Sequence, residues 1–475
     1  MKNTETNPQK NQTKNTAQWR QKRLILNSNQ RFALLNTFHN SVYLDSGLDD
    51  KKGRFDIISS APLFIHQAEQ KKQNKQNKQH FHSPPMDDWK NLTKEYNYTP
   101  QTIPNEFINL PFVSGLIGFV SYEYGAQQTI DGSQSFDQVD LPSLYIGEYT
   151  WSYVYDKLIK QGYLTFSPRC PADLRSKILN LLEGCAINTN ESTTDSITPS
   201  QVSAPEDLNW IKTLSFEEYK KSFDQVKRYI IEGDCYQVNL AQRFETQFHG
   251  SPLYLYFNLR KKVDTPYSAF MSFAKNASLL SFSPEQFIGI SGGEVQTKPI
   301  KGTIENTKNS ANALQLSQSF KNKAENLMIV DLLRNDLSKF CEIGSIKVSK
   351  LFELETYKNV HHLVSHIKGK LKADINELDA FFSCFPGGSI TGAPKKRSME
   401  IINELESSGR TAYCGSIFYL NGNGNFDSNI LIRSIIHSND KLHCWGGGGI
   451  VHDSLVEEEY LESITKVANL TGICE

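Results

Sequence analysis

Glu459, Glu462 and Lys466 repeat at the spacing of successive helical turns near the end of the chain. On a helix, i, i+3 and i, i+4 neighbours share one face, so this segment would present two carboxylates and an ammonium in a row. Paired carboxylates suit Mg²⁺, a hard cation that takes oxygen ligands. The same spacing fits a solvated helix with an i, i+4 Glu–Lys pair, the stronger reading on these residues alone. The run Gly446-Gly-Gly-Gly449 just upstream tilts the balance, because backbone without side chains lets a ligand come close. A further oxygen ligand would come from elsewhere. Glu325 is a conjectural source, in an amphipathic stretch whose Met328, Val330, Leu332 and Leu333 are core candidates.

Lys301 sits beside Gly302 after a strand-like run, Thr297-Lys-Pro-Ile-Lys301-Gly-Thr303. A lysine is a base or nucleophile only when neutral, and with a reference pKa of about 10.4 roughly one in a thousand is neutral near pH 7.4. Burial or a neighbouring cation would have to lower it; an isolated lysine is ordinarily a solvated surface residue. Gly387-Gly-Ser-Ile-Thr-Gly392-Ala-Pro-Lys-Lys lacks the Gly-Lys-Ser/Thr of a Walker loop and is not an ATP site. Its turn could offer backbone N–H groups to a carboxylate, with Lys395, Lys396 and Arg397 adding positive charge, or could simply cap a helix. His361-His362 lacks the i, i+4 spacing of a helical metal pair, and no zinc pattern occurs.

These groups need elements to hold them. Short apolar and aromatic runs at Ser41–Leu44, Phe112–Val120 and Trp151–Tyr155 read as strands, as do Tyr236–Leu240, Ser278–Phe282, Gly415–Leu420 and Asn429–Ile432. Tyr219, Phe223, Val226 and Ile230 form one stripe of a helix over Phe216–Glu232, stopped by Gly233. Strict strand–helix alternation is missing, which favours an α+β fold with large antiparallel sheets flanked by helices. The 475 residues carry 51 Lys plus Arg against 52 Asp plus Glu, so no bulk pull toward nucleic acid or anionic lipid is expected. No run of apolar residues is long enough for a membrane span. Eight single cysteines without a C-x-x-C pair or a secretory segment point to reduced thiols and a cytoplasmic protein. Polar composition marks residues 1–23 as a disordered tail and 186–209 as a linker between an N-terminal region, 24–185, and a catalytic region, 210–475. The Gln/Lys-rich run Gln67–Gln79 reads as a solvated loop.

Read together, the motifs resemble the chorismate-utilising enzymes, the family of anthranilate, aminodeoxychorismate, isochorismate and salicylate synthases. They run in order through Gly233-Asp-Cys-Tyr-Gln-Val-Asn-Leu-Ala-Gln-Arg243, Ser283-Pro-Glu285, Pro299-Ile-Lys-Gly-Thr303, Ala324–Asp336, Val360-His-His-Leu-Val364, Phe385–Lys395 and the C-terminal block. The N-terminal half matches more loosely, through Phe112–Gly125 and Gly53–Ile57. The resemblance implies a sandwich of antiparallel sheets with a central active-site cleft that binds chorismate and Mg²⁺. It implies Glu325, Glu459 and Glu462 as metal ligands, and Lys466, Gly447, Tyr413 and Arg433 as contacts to substrate carboxylates. Ser389 and Thr303 would be neighbouring polar contacts, and Glu285 and His362 would deliver a proton to the departing C4 hydroxyl.

Two positions divide the family. Water-adding members carry a basic lysine where this chain has Gln237, which disfavours water as the nucleophile. Lys301 resembles the branch that forms 4-amino-4-deoxychorismate, in which it would attack C2 before ammonia enters at C4. The other readings are anthranilate synthase component I and a non-catalytic tryptophan- or chorismate-binding regulator. No glutaminase block is present, so the resemblance implies a separate glutamine amidotransferase subunit supplying ammonia. Tyr43-Leu-Asp-Ser46 resembles the element that binds tryptophan in anthranilate synthases, making Ser46 an effector-site candidate, although an ordinary strand-to-turn Asp-Ser reads equally well.

Overall fold

The computed structural model describes residues 18–47, 53–68, 102–130, 139–187, 208–273, 276–306, 310–356 and 360–473. Most of the Gln/Lys-rich run and most of the 186–209 connection lie outside them. Among the described residues the strands form two sheets, of 12 and 10 strands, built from antiparallel pairings. Side chains alternate across a strand, and the larger sheet uses both faces. Val42, Ile57, Val154, Met271 and Leu279 enter a core shared with Ile117, Phe119, Ile288 and Ile417 of the smaller sheet. Their chain neighbours Tyr43, Ile58, Tyr153, Phe270 and Leu280 enter a second core, with Leu34, Ile178, Leu255 and Val467 from helices. Strands buried on both faces explain why the apolar runs read as nearly continuous.

The N-terminal and C-terminal regions interleave. Val42–Asp45 pairs with Tyr267–Phe273, and Gly115–Val120 pairs with Ser416–Asn421, so each sheet takes adjacent strands from both regions. Arg20–Arg23, expected within the tail, is an edge strand paired with Gln161–Phe166. The strand expected over 429–432 instead occupies Phe426–Asn429, where Asn429 is pinned by Ile417 N, Ser416 Oγ and Tyr267 O. Beyond it the chain turns away, with Arg433 in the left-handed region at φ 51°.

The helix Phe216–Glu232 forms as its pattern predicts. Ser215 and Glu218 close a capping box, Gly233 ends the helix at φ 86°, and Tyr219, Phe223 and Val226 are buried. The glycine run lies in the strand Lys441–Ile450, paired to Gln237–Gln247, with the helix Val456–Thr471 packed on it. A Cβ on Gly446 would stand 2.0 Å from the carbonyl oxygen of Ser463 in that helix. The glycine therefore sets how closely helix and sheet approach. Gly446→Ala should lower stability by about 1–3 kcal/mol through enforced separation. Gly184→Ala, at an exposed helical site where a new Cβ meets nothing within 4 Å, should gain roughly 0.5–1 kcal/mol. Urea denaturation of both variants reads the contrast.

Candidate active site

Lys301 owes its direction to an irregularity in its strand. Ile300–Glu305 pairs with Val360–Lys370 so that Ile300 faces Val364 and Thr303 faces His362, leaving Lys301 and Gly302 opposite one residue. Such a bulge bends the strand and re-aims a side chain. Gly302 has φ 80°, and a Cβ there would lie 2.7 Å from Leu316 Cδ1, so the bulge requires glycine twice over. Lys301 Nζ donates to the carbonyl oxygen of Ser389 at 3.3 Å.

Ser389 also donates from Oγ to Glu285 Oε1 at 3.1 Å. Its turn, Gly388–Ile390, is pressed by the helix Phe320–Ser338, since a Cβ on Gly388 would come 2.3 Å from Leu332 Cδ2. Glu285 is fixed in turn by its own N–H, which donates to Ser283 Oγ, and by its carbonyl, which accepts from Ile430. Ser389 thus stands between an amine and a carboxyl group. Burial pushes the Glu285 carboxyl up to about 7 against the opposing pull of Lys301, Ser389, Lys466 and Arg433. Burial pushes the Lys301 amine down, with Lys466 adding to the effect and Glu325, Glu285 and Glu462 opposing it. Burial also lowers the pKa of the Arg433 guanidinium, which has no ion pair or side-chain hydrogen bond among the described residues. A buried, unpaired fork of this kind is suited to a ligand carboxylate.

The acidic group is assembled from two helices. Glu459 and Glu462 lie on Val456–Thr471, Glu325 on Phe320–Ser338. Burial raises the carboxyls of Glu459 and Glu325, and the neighbouring charge of Glu462 raises both further. Glu462 is raised by burial but ends below its usual range because Lys466, with Nζ 2.6 Å from Oε1, outweighs that cost. Lys466 also donates to the carbonyl of Gly447 at 2.9 Å, and Ser454 Oγ donates to Glu459 Oε1 at 2.7 Å. A Cβ on Gly448 would stand 2.7 Å from Glu459 Oε2 and 3.5 Å from Glu462 Oε1. The missing side chain therefore leaves a cradle against mutually repelling carboxylates, and that donor set fits a hard divalent cation.

Lys301, Glu285, Ser389, Arg433, Lys466, Gly447, Glu325, Glu459 and Glu462 thus form one connected group. Thr303 and His362 meet beside the bulge, Thr303 Oγ1 lying 2.8 Å from His362 Nδ1, with Thr303 exposed and His362 buried. Tyr413 is buried against the Arg410 guanidinium, 5.6 Å from its ring centroid. Ser46 lies in another cavity altogether, and its Oγ accepts from Lys157 Nζ at 3.0 Å. The positive charge expected from Lys395 and Arg397 is neutralised within the fold, by Asp336 at 2.6 Å and Asp234 at 2.6 Å.

Sequence reasoning passed over Arg410, Lys321 and Ser454. Arg410 is 1% exposed, pairs with Glu406 at 2.6 Å and donates to the carbonyls of Ile390 and Asn239, bracing the turn that holds Ser389. Lys321 acts electrostatically on all three acidic ligand candidates. Its position four residues before Glu325 was the available signal.

Known proteins share much of this sequence and fold. The profile of chorismate binding enzymes matches residues 41–472. Aminodeoxychorismate synthase component 1 of Escherichia coli K12 is 36% identical over 92% of this chain and 93% of its own length. Anthranilate synthase component 1 of Lactococcus lactis is 33% identical over 78% and 81%. The crystal structure of anthranilate synthase component I from Streptococcus pneumoniae superposes with a TM-score of 0.74 at 28% identity, covering 89% of this chain and 93% of that one. The profile match over residues 41–472 and these identities show that the chain belongs to the chorismate binding enzyme family.

Proposed function

We propose that this chain converts chorismate and ammonia to 4-amino-4-deoxychorismate, a step toward 4-aminobenzoate and folate. The carrying observation is the buried Lys301 amine, whose pKa is lowered, set across Ser389 from a Glu285 carboxyl raised to about 7. A neutral amine is a nucleophile and a protonated carboxyl is an acid. Lys301 attacks ring carbon C2, the double bond shifts, and the C4 hydroxyl leaves as water with the proton of Glu285. Ammonia then attacks C4, the double bond returns, the Lys301 amine is expelled from C2, and Glu285 recovers a proton from the new ammonium. Arg433 and Lys466 would hold substrate carboxylates. Glu325, Glu459 and Glu462 would hold Mg²⁺, which when bound supplies positive charge against a substrate carboxylate.

Gln237 supports ammonia over water as the nucleophile. It is 1% exposed and its Oε1 has no partner among the described residues, but an amide is no base with which to activate water. Ammonia would come from a separate glutaminase subunit, in keeping with the component 1 designation of the E. coli relative. The seven described cysteines are free thiols, which suits the cytoplasm, and no described helix is long and apolar enough to cross a membrane. The cavity of about 310 Å³ at Leu44, Asp45 and Ser46 is apart from the Lys301 group and is a fitting place for tryptophan. Native mass spectrometry should then detect one retained tryptophan, and its absence after purification and tryptophan addition would count against that assignment.

Purified chain with chorismate, MgCl₂ and ammonium should yield a product that a lyase converts to 4-aminobenzoate; anthranilate formed directly would overturn the proposal. In the same assay Lys301→Ala should lose at least about a thousandfold in turnover while chorismate still binds by calorimetry. The pH dependence of kcat/KM should be bell-shaped. Loss of the Lys301 proton raises activity, and loss of the Glu285 proton bends the profile downward near pH 7. Glu285→Gln should lower the rate roughly 10²–10⁴-fold and remove the bend near pH 7.

A further inference from the structure

A second constellation of ligating groups lies outside the chorismate site. Glu353 and Glu355 are two apart on the strand Lys347–Thr356 and so share a face. Glu353 faces Val364 on the neighbouring strand, which makes His366 its diagonal neighbour, after a register shift between Lys350 and Glu353 where Phe352 takes φ 58°. His366 Nε2 ends 3.1 Å from Glu353 Oε2 and 3.2 Å from Glu355 Oε1. One ring nitrogen carries at most one hydrogen, so it cannot donate fully to both oxygens. Ligands held about 2.0–2.2 Å from a common ion lie roughly 3.0–3.5 Å from one another, and these separations fall in that range. The other oxygen of Glu353 is held by Lys350 Nζ at 2.6 Å, which orients the carboxylate and leaves Oε2 toward the histidine.

The three residues line a cavity of about 520 Å³ whose wall also includes Lys298, Lys350 and Gln286. Gln286 lies on the same wall. It is 4% exposed, its Nε2 donates to Asp427 Oδ1 at 2.7 Å, and its Oε1 has no partner among the described residues. A buried amide oxygen without a donor is costly.

We infer that Glu353, Glu355 and His366 form a site for a divalent ion of the zinc, cobalt or manganese class. One imidazole nitrogen with two carboxylates favours such ions over Mg²⁺, whereas the all-oxygen set at Glu325, Glu459 and Glu462 suits Mg²⁺, so excess Mg²⁺ competes for that set. Lys298 and Lys350 are the cations on the cavity wall, and they offset part of the acidic charge without removing the His366 contacts.

Cobalt titration of the full chain, stripped with chelator and kept in millimolar Mg²⁺, tests this by visible absorption and calorimetry. One Co²⁺ should bind per chain with a ligand-field band. His366→Ala, and independently the near-isosteric Glu355→Gln, should weaken it at least about tenfold with unchanged near-ultraviolet circular dichroism. Glu462→Gln should leave it in place. Failure of the wild-type chain to bind Co²⁺ under these conditions, or equal binding by the natively folded His366→Ala and Glu355→Gln variants, would overturn the assignment.

Discussion

Withdrawal of water from Lys301 and Glu285 is the constraint on which the rest of the site depends. In water an amine and a carboxyl group ionise and attract; here the cost of burying either charge outweighs that attraction. Moving a carboxyl from its usual 4.5 to about 7 disfavours its charged form by about 3 kcal/mol. The two groups are also kept from collapsing onto each other by Ser389, which engages the amine with its carbonyl and the carboxyl with its hydroxyl. One residue thereby keeps a nucleophile and an acid in a shared pocket without letting them neutralise each other as a closed ion pair.

Backbone irregularity performs the positioning. Gly302 permits the bulge that aims Lys301, and Gly448 makes room beside the carboxylates of the facing helix. Neither task depends on what a glycine side chain does; each depends on there being none. Arg410 works in the opposite way, filling the interior with a guanidinium that satisfies the carbonyls of Ile390 and Asn239 next to the active turn. Its charge is carried by Glu406 and stacks against Tyr122 at 4.8 Å and Tyr413 at 5.6 Å.

Local physics made several of these features legible in the sequence. The helix Phe216–Glu232 announces itself by its cap, its stripe and its glycine stop, and the row Glu459, Glu462, Lys466 by its spacing. The features that escaped are set by partners far along the chain. Arg20–Arg23 looks like tail because its apolar content is low, yet it gains backbone hydrogen bonds from a strand some 140 residues away in the pairing Arg20 with Phe166 and Arg23 with Tyr163. The bulge at Lys301 is invisible without the register of Val360–Lys370, and the same register brings His366 to Glu353 and Glu355. Thr303 and His362 meet across two strands, a contact that the pairing register decides.

Interleaving of the two regions joins folding to chemistry. Glu285, Lys301, Glu325, Ser389, Arg433 and Glu459 come from six separate stretches of chain, and no local segment could bring them together. The strand Ala277–Ser283, which leads into Glu285, has Tyr267–Phe273 on one side, and that strand in turn pairs with Val42–Asp45 from the N-terminal region. On its other side it meets Ser434–Ser438, which follows Arg433 directly. A shift of either sheet would therefore move the acid relative to the guanidinium, and the low dielectric that tunes both groups would open to water. The N-terminal half, which carries no member of the Lys301 group, serves the site by pairing with the strands that hold Glu285 in place.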